Sequence, residues 1–272
     1  MILTQNEFNN LRELIYKKTG IALNESKTDF ISRRIKARME TIAVRNCKDY
    51  LRYLSFDSKE EELQNLILTI VNHETYFFRE YPQLEFFVEK IIPIIEKEKN
   101  EIKTLNVLSA GCSTGDEPYT LGIILREMLD NFDLWQVRID GLDISPQALK
   151  KAQKGVYFAR SLRDTPYVYR DRYFDKKEDT YTVKPIIQHM VNFIHANLYN
   201  HKDVQKLSKY DLVFMRNVLI YFDYASGRNV LEKLYERMNK GAFLFLGHAE
   251  SVARFTNCFR MERLGNMFVY RK

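Results

Sequence analysis

The sequence predicts an α/β protein: a mostly parallel, helix-covered sheet of the Rossmann-like kind, closed by a C-terminal antiparallel hairpin and preceded by a small all-α domain. Three observations carry this. The first eighty or so residues show helical periodicity and no strand pattern. From Thr104 onward, short apolar runs alternate with amphipathic stretches; that rhythm builds a parallel sheet covered by helices. The chain closes with two strand-like runs around Gly265-Asn266, a hairpin signature.

Thr4-Gln5-Asn6-Glu7 is a capping box, with Leu3 and Phe8 placed as a hydrophobic staple. Phe8, Leu11, Leu14 and Ile15 recur at helical spacing, and Gly20 ends the helix. A second helix covers about Lys27 to Ile42, with Ile31, Ile35, Met39 and Ile42 on one side. Arg33 and Lys36 point to its far side, while Arg34 and Arg38 flank the apolar stripe. Further helices fit Cys47 to Leu54 and Glu60 to Val71, and a helix from Glu85 to Glu98 is broken by Pro93. This divides the chain into a helical domain over 1–82, a linker over 83–103 and an α/β domain over 104–272.

In the α/β domain, strands are predicted at Thr104 to Ala110, Val137 to Ile144, Val191 to Ala196, Tyr210 to Met215 and Gly241 to Gly247. Helices fit Glu117 to Asn131, Ser145 to Lys154 and Tyr224 to Asn239, and the hairpin joins Phe259 to Leu264 with Met267 to Arg271. The stretch 155–185, rich in Tyr, Arg and Asp, departs from this rhythm. It reads as a small inserted subdomain or an irregular cover over the sheet edge.

The 272 residues are 45% hydrophobic and 29% charged, with a net charge of +6. Such a balance is that of a soluble globular protein, and the mild positive excess favours an acidic partner. No apolar run approaches the ~18 residues of a membrane span, and Met1 to Glu7 lacks a signal-peptide pattern. Cys47, Cys112 and Cys258 form neither a disulfide framework nor a zinc pattern. A cytoplasmic location without membrane insertion is expected.

Chemistry gathers in four places. Ser109-Ala-Gly-Cys-Ser-Thr-Gly-Asp-Glu117 follows a strand and opens a helix, where α/β folds hold nucleotide-like ligands. Gly111 and Gly115 are spaced G-x-x-x-G, neither the dinucleotide fingerprint nor a P-loop. That points to S-adenosylmethionine, whose sulfonium and amino acid tail need no phosphate cradle. Asp143, ending the second strand of the sheet, suits ribose hydroxyls, or else the start of the following helix. Arg216-Asn217 to Tyr221-Phe222 lies beyond the fourth strand, facing the crevice. His73 to Glu80 is an aromatic cluster bracketed by Thr75 and Arg79. His189, His195 and His201 lack companions for a metal, and no nucleophile–base pair is visible. No metal is expected.

In this order, after a basic helical domain, these motifs resemble the chemotaxis receptor methyltransferases of the CheR family. The resemblance is strongest over His73 to Glu80, Ser109 to Leu121, Gly141 to Ser145, Met215 to Asp223 and Gly247 to Ser251. It implies an S-adenosylmethionine-dependent protein-glutamate O-methyltransferase that forms γ-methyl esters on chemoreceptor glutamates and leaves S-adenosylhomocysteine. The implied cofactor set is His73, Thr75, Arg79, Gly111, Glu117, Asp143, Asn197, Leu198, Arg216 and Asn217. His73 stands where the family has Asn, with Asn72 beside it; either can donate to the cofactor. Gly247-His248-Ala249-Glu250-Ser251 carries Ala where the family pattern has Ser.

Arg79 and Tyr221 are expected to border the reacting centre and place the acceptor carboxylate. Arg33, Arg34, Lys36 and Arg38 are expected to dock on the acidic helices of a receptor bundle, with 155–185 the place for a receptor tether. The protein is expected to act as a monomer, without nucleic acid as partner. The competing functions are a nucleic-acid methyltransferase, which the basic charge fits but base-methylation motifs do not support, and a non-catalytic S-adenosylmethionine-binding module.

Overall fold

A computed structural model describes residues 3–24, 28–57, 61–71 and 74–272. Lys27, Glu60, Asn72 and His73 lie outside the described residues. Four helices open the chain: α1 (Gln5–Thr19), α2 (Thr28–Thr41), α3 (Cys47–Phe56) and α4 (Glu61–Ile70). Thr4 and Glu7 form the reciprocal capping box, and Gly20 caps the C-terminus in the left-handed region. Phe8, Leu11, Ile15, Ile31, Ile35, Tyr50 and Leu66 make one core, with Leu3 packed against it.

Arg38 departs from the basic face assigned to it. Its Nε donates to Glu62 Oε1 at 3.1 Å, and Tyr50 Oη donates to the same oxygen at 2.8 Å. Glu62 is 3% exposed. A buried carboxylate needs its charge matched, so Arg38 is turned into the domain and is not free to dock. Arg33, Arg34 and Lys36 stay exposed.

The linker is α5 (Tyr81–Phe86), a wide π-type segment (Phe87–Ile91) and α6 (Ile92–Glu98). Pro93 therefore does not break the helix as expected. It sits in the first turn of α6, and the π-type turn before it accommodates the missing N–H and the bulk of the ring.

The α/β part follows as β1 (Thr104–Ala110), α7 (Asp116–Met128), β2 (Gln136–Asp143), α8 (Pro146–Lys154) and β3 (Val156–Phe158). Then come α9 (Tyr167–Tyr173), β4 (Phe174–Lys177), β5 (Thr180–Val183), α10 (Pro185–Gln188), β6 (Val191–His195) and α11 (His201–Gln205). The chain ends with β7 (Tyr210–Met215), α12 (Tyr224–Glu236), β8 (Met238–Leu246), β9 (Arg260–Leu264) and β10 (Met267–Arg271).

The main sheet has the order β6-β2-β1-β7-β8-β10-β9. The first five strands pair in parallel, and the β9–β10 hairpin adds antiparallel. Leu212 and Phe214 enter the core on one face while Val213 and Met215 enter the core on the other; a period of two buried on both sides is what a helix-covered parallel strand requires. Strand order reverses between β1 and β7, so a crevice opens beyond their C-terminal ends. Between β2 and β6, residues 156–183 form a separate three-stranded antiparallel sheet, β3-β5-β4.

The helical domain is fastened over this crevice. Ala22 N donates to Tyr221 O at 2.9 Å, and Ile21 and Phe222 form a lone antiparallel bridge. Tyr16 Oη donates to Asp223 Oδ1 at 3.1 Å. Asn197 Nδ2 donates to Lys18 O at 2.9 Å.

Candidate functional site

One cavity of about 1030 Å3, its open mouth included, lies where the helical domain meets the C-terminal ends of β1, β2 and β7. Thr75, Arg79, Gly111, Glu117, Asp143, Asn197, Leu198, Arg216, Asn217 and Tyr221 all line it. His73 falls outside the described residues. Sequence separations of more than a hundred residues are closed by the fold: the later segments follow strands that end at one sheet edge, and Thr75 and Arg79 come from the stretch between α4 and α5.

The floor is made by the turn after β1. Gly111 and Gly115 have φ of +79° and +90°, which L side chains rarely adopt. A Cβ on Gly111 would meet Val218 Cγ2 at 2.5 Å, and one on Gly115 would meet Ala152 Cβ at 2.8 Å. The close approach that demands glycine is therefore made by the protein's own side chains. Ser113 takes φ of +50°, and its N–H donates to Asp143 Oδ2 at 2.8 Å.

Asp143 Oδ1 accepts from Ser145 N at 2.8 Å. The helix-start alternative for Asp143 is therefore met, and the same carboxylate borders the cavity.

Glu117 stands in the first turn of α7 and accepts from Ser109 Oγ at 2.6 Å. Arg216 Nη1 lies 3.4 Å from Glu117 Oε2, and Arg216 Nη2 lies 3.4 Å from Glu80 Oε2. Burial pushes the Glu117 carboxyl up, against the lowering pull of Arg216 and the Ser109 hydroxyl. Burial likewise pushes the Cys112 thiol well above its ordinary range, which disfavours the reactive thiolate.

Arg79 closes one side. Its Nη1 donates to Glu74 O at 2.6 Å, while its own carbonyl accepts from Arg216 Nη2 at 2.5 Å. Phe77 and Phe78 are buried in the core under the sheet. Phe78 and Glu80 both have positive φ, so this short segment anchors its aromatics and lifts Arg79 to the rim.

Asn197 reaches the cavity with its side chain already engaged: the amide holds Lys18 O, and Oδ1 accepts from Tyr199 N at 2.9 Å. Asn217 has φ of +60°. Its N–H donates to Glu250 Oε2 at 2.8 Å, which also accepts from Gly247 N at 2.7 Å, while Ile220 N donates to Glu250 Oε1 at 3.2 Å. Glu250 therefore clamps the Arg216–Tyr221 loop, a role that a lone acid after β8 did not disclose. Ser113 and Glu74 were also missed as wall residues; Ser113 stood inside the glycine turn, the only signal for it.

A second groove shares Glu74, Arg79, Asn217 and Tyr221 with the cavity and runs out past Phe30 and Arg34 of α2. The guanidinium of Arg34 lies 5.0 Å over the Phe30 ring.

The wall chemistry fits an S-adenosylmethionine-like group. Two carboxylates can receive an amino group and hydroxyls, and the buried Ser113 Oγ and Arg216 Nε have no hydrogen-bond partner in the protein; such atoms usually await a ligand or water. Among the described residues, no group of three His, Cys, Asp or Glu could hold a metal, and no helix is long and apolar enough to cross a membrane.

Comparison with known proteins gives the family. The family described as CheR methyltransferase, all-alpha domain, matches residues 6–71. The family described as CheR methyltransferase, SAM binding domain, matches residues 73–268. Chemotaxis protein methyltransferase 2 of Vibrio cholerae is 36% identical over 100% of this chain and 94% of its own length. Chemotaxis protein methyltransferase of Borreliella burgdorferi is 32% identical over 92% of this chain and 89% of its own. Among solved structures, N-methyltransferase NodS from Bradyrhizobium japonicum is similar over 67% of this chain and 84% of its own, at 14% identity and a TM-score of 0.36. With both of its parts matched in order and relatives aligned along nearly its whole length, the chain belongs to the CheR methyltransferase family.

Proposed function

We propose that this chain transfers the methyl group of S-adenosylmethionine to glutamate side-chain carboxylates of chemoreceptors, forming γ-methyl esters. The observation that carries this is the convergence of Thr75, Arg79, Glu117, Asp143, Arg216 and Tyr221 on one cavity in which the described carboxylates Glu117 and Asp143 are already engaged and so are not set out as a general base. Glu117 is held by Arg216 and Ser109, Asp143 by two N–H groups, and burial pushes the Cys112 thiol up, away from the thiolate. A glutamate acceptor is already ionised at neutral pH, so it needs none.

In this reading Glu117 holds the amino group of the cofactor and Asp143 its ribose hydroxyls, with Leu198 beside the adenine. The cofactor supplies an activated methyl group. The residues of the chain supply alignment and exclusion of water. Arg79 and Tyr221 place the carboxylate, which enters along the groove past Phe30 and Arg34. Arg33, Arg34 and Lys36 meet the acidic helices of the receptor's cytoplasmic bundle. The protein acts as a cytoplasmic monomer.

The test is methyl transfer from labelled S-adenosylmethionine to membranes bearing chemoreceptors, followed by mild alkali. Label on receptor that is released as methanol is the expected result. Alkali-stable label, label on nucleic acid, or cofactor binding without transfer would overturn the substrate assignment.

A further inference from the structure

The cavity adjoins a second cleft through Glu74 and Thr75, between the last turn of α8 and the edge of the inserted sheet. Lys151, Lys154, Arg160 and Arg163 line it, with Glu74 the single acid among its lining residues. Arg163 is already matched: it lies 3.2 Å from Glu74 Oε1 and 3.5 Å over the Tyr76 ring. Lys151, Lys154 and Arg160 are exposed and, among the described residues, have no ion pair, side-chain hydrogen bond or ring contact.

A helix dipole favours cations in the last turn of α8, which accounts for Lys151 and Lys154. It places no cation on the separate turn Ala159–Leu162, where Arg160 faces the same cleft. Val156 and Phe158, 47% and 58% exposed, add an apolar floor. Uncompensated like charges gathered in a cleft repel one another and are relieved by an anion.

We propose that this cleft is a second substrate subsite, which takes an acidic stretch of polypeptide flanking the carboxylate that receives the methyl group. This rests on the polypeptide carboxylate substrate put forward above. An amphipathic acidic segment satisfies both the cations and the apolar floor. A nucleic acid strand would use the charges, but the cleft offers a single exposed ring rather than a series of stacking platforms. Glu74 links the two sites: its carboxylate pairs with Arg163, and its carbonyl holds Arg79 Nη1.

The experiment is steady-state methylation of receptor-bearing membranes by the full chain and by two triple variants, Lys151→Glu/Lys154→Glu/Arg160→Glu and Lys151→Gln/Lys154→Gln/Arg160→Gln. Expected is a roughly tenfold rise in receptor KM for the Glu triple and a smaller rise for the Gln triple. The kcat and the S-adenosylmethionine Kd should stay within about twofold, and the salt dependence of KM should flatten. An unchanged receptor KM overturns the subsite, as does loss of RNA retention with receptor KM intact. A weakened cofactor Kd in both triples assigns these residues to the fold instead and overturns it too. If the unaltered chain places no alkali-labile label on receptor, the substrate reading itself fails and takes the subsite with it.

Discussion

Arg216 and Glu117 face each other at 3.4 Å across the cavity floor, with side chains only 4% and 17% exposed. Neither charge has much water to turn to. Removing one partner leaves the other buried and unmatched, so Arg216→Ala should destabilise the protein by about 3–5 kcal/mol in urea unfolding. Arg216→Ala also strips Glu80 and the Arg79 carbonyl of their partner. Glu117→Gln removes the charge but keeps the shape; it should fold and bind S-adenosylmethionine roughly 10–100-fold more weakly.

The same pair sets a pH dependence. Burial raises the Glu117 carboxyl, and Arg216 and Ser109 restrain the rise. If the carboxylate form binds the cofactor, affinity is full above the raised pKa and is lost as pH falls through it. Ser109→Ala deletes one restraining hydrogen bond, so the loss should begin at higher pH than in the unaltered chain. Calorimetric Kd values across the acid range check this; coincident profiles would detach Glu117 from cofactor binding.

Asp116 sits beside Glu117 but does different work. It is fully buried, its Oδ2 accepts from Thr114 Oγ1 at 2.6 Å, and its Oδ1 has no partner. Burial pushes its carboxyl from 3.8 up to about 6. Between those values the folded chain keeps a proton that the unfolded chain releases, so stability falls as pH rises through the window. Above about pH 6 that loss is complete, on the order of 3 kcal/mol. Asp116→Asn should therefore be more stable than the unaltered chain at pH 8 and equal to it near pH 4. Urea midpoints at pH 4, 6 and 8 decide; two parallel curves would refute the assignment.

What could be read ahead in the chain was whatever local physics decides. The Thr4–Glu7 box, the Gly20 stop and the strands Thr104–Ala110 and Tyr210–Met215 follow from capping geometry and from apolar runs within one element. Less visible was what depends on partners far away in sequence. Arg38 looks like a surface cation until Glu62, 24 residues on, is brought beneath it. Strand β8 begins at Met238, inside the stretch expected to be helix, because Tyr210 pairs with it across the sheet. Pro93 was a helix breaker on propensity alone; the π-type turn that absorbs it has no sequence signal of its own. Gly111, Asp143 and Arg216 were legible because strand ends are, while Thr75, Arg79, Asn197 and Leu198 were named by the family resemblance; the Glu250 clamp was not legible, because its partners are backbone N–H groups that no side-chain motif names.

Arg33 and Arg38 lie five residues apart on α2 and should respond in opposite ways. Arg38→Ala abandons the buried Glu62, and should cost about 3 kcal/mol of stability. Paired reversal, Arg33→Glu/Lys36→Glu, touches exposed side chains whose nearest contacts are the Asp29 carbonyl and Glu40. It should leave unfolding within about 0.5 kcal/mol, yet raise the receptor KM. Normal receptor methylation by the reversed variant would remove docking from this helix.

Arg79 and Tyr221 give the most direct test of how methyl transfer is promoted. If they place the acceptor and do not exchange protons with it, Arg79→Ala should lower kcat at saturating cofactor roughly 10–100-fold while melting holds. Tyr221→Phe, which keeps the ring and the main-chain bond to Ala22, should lose less. An acceptor that arrives ionised needs no base, so at saturating cofactor the rate should stay level from about pH 6 to 9 in all three proteins. A basic limb that vanishes with Tyr221→Phe would instead make its hydroxyl an acid–base group. A limb that follows Arg79→Ala would mean that the guanidinium sets the protonation of the acceptor as well as its position.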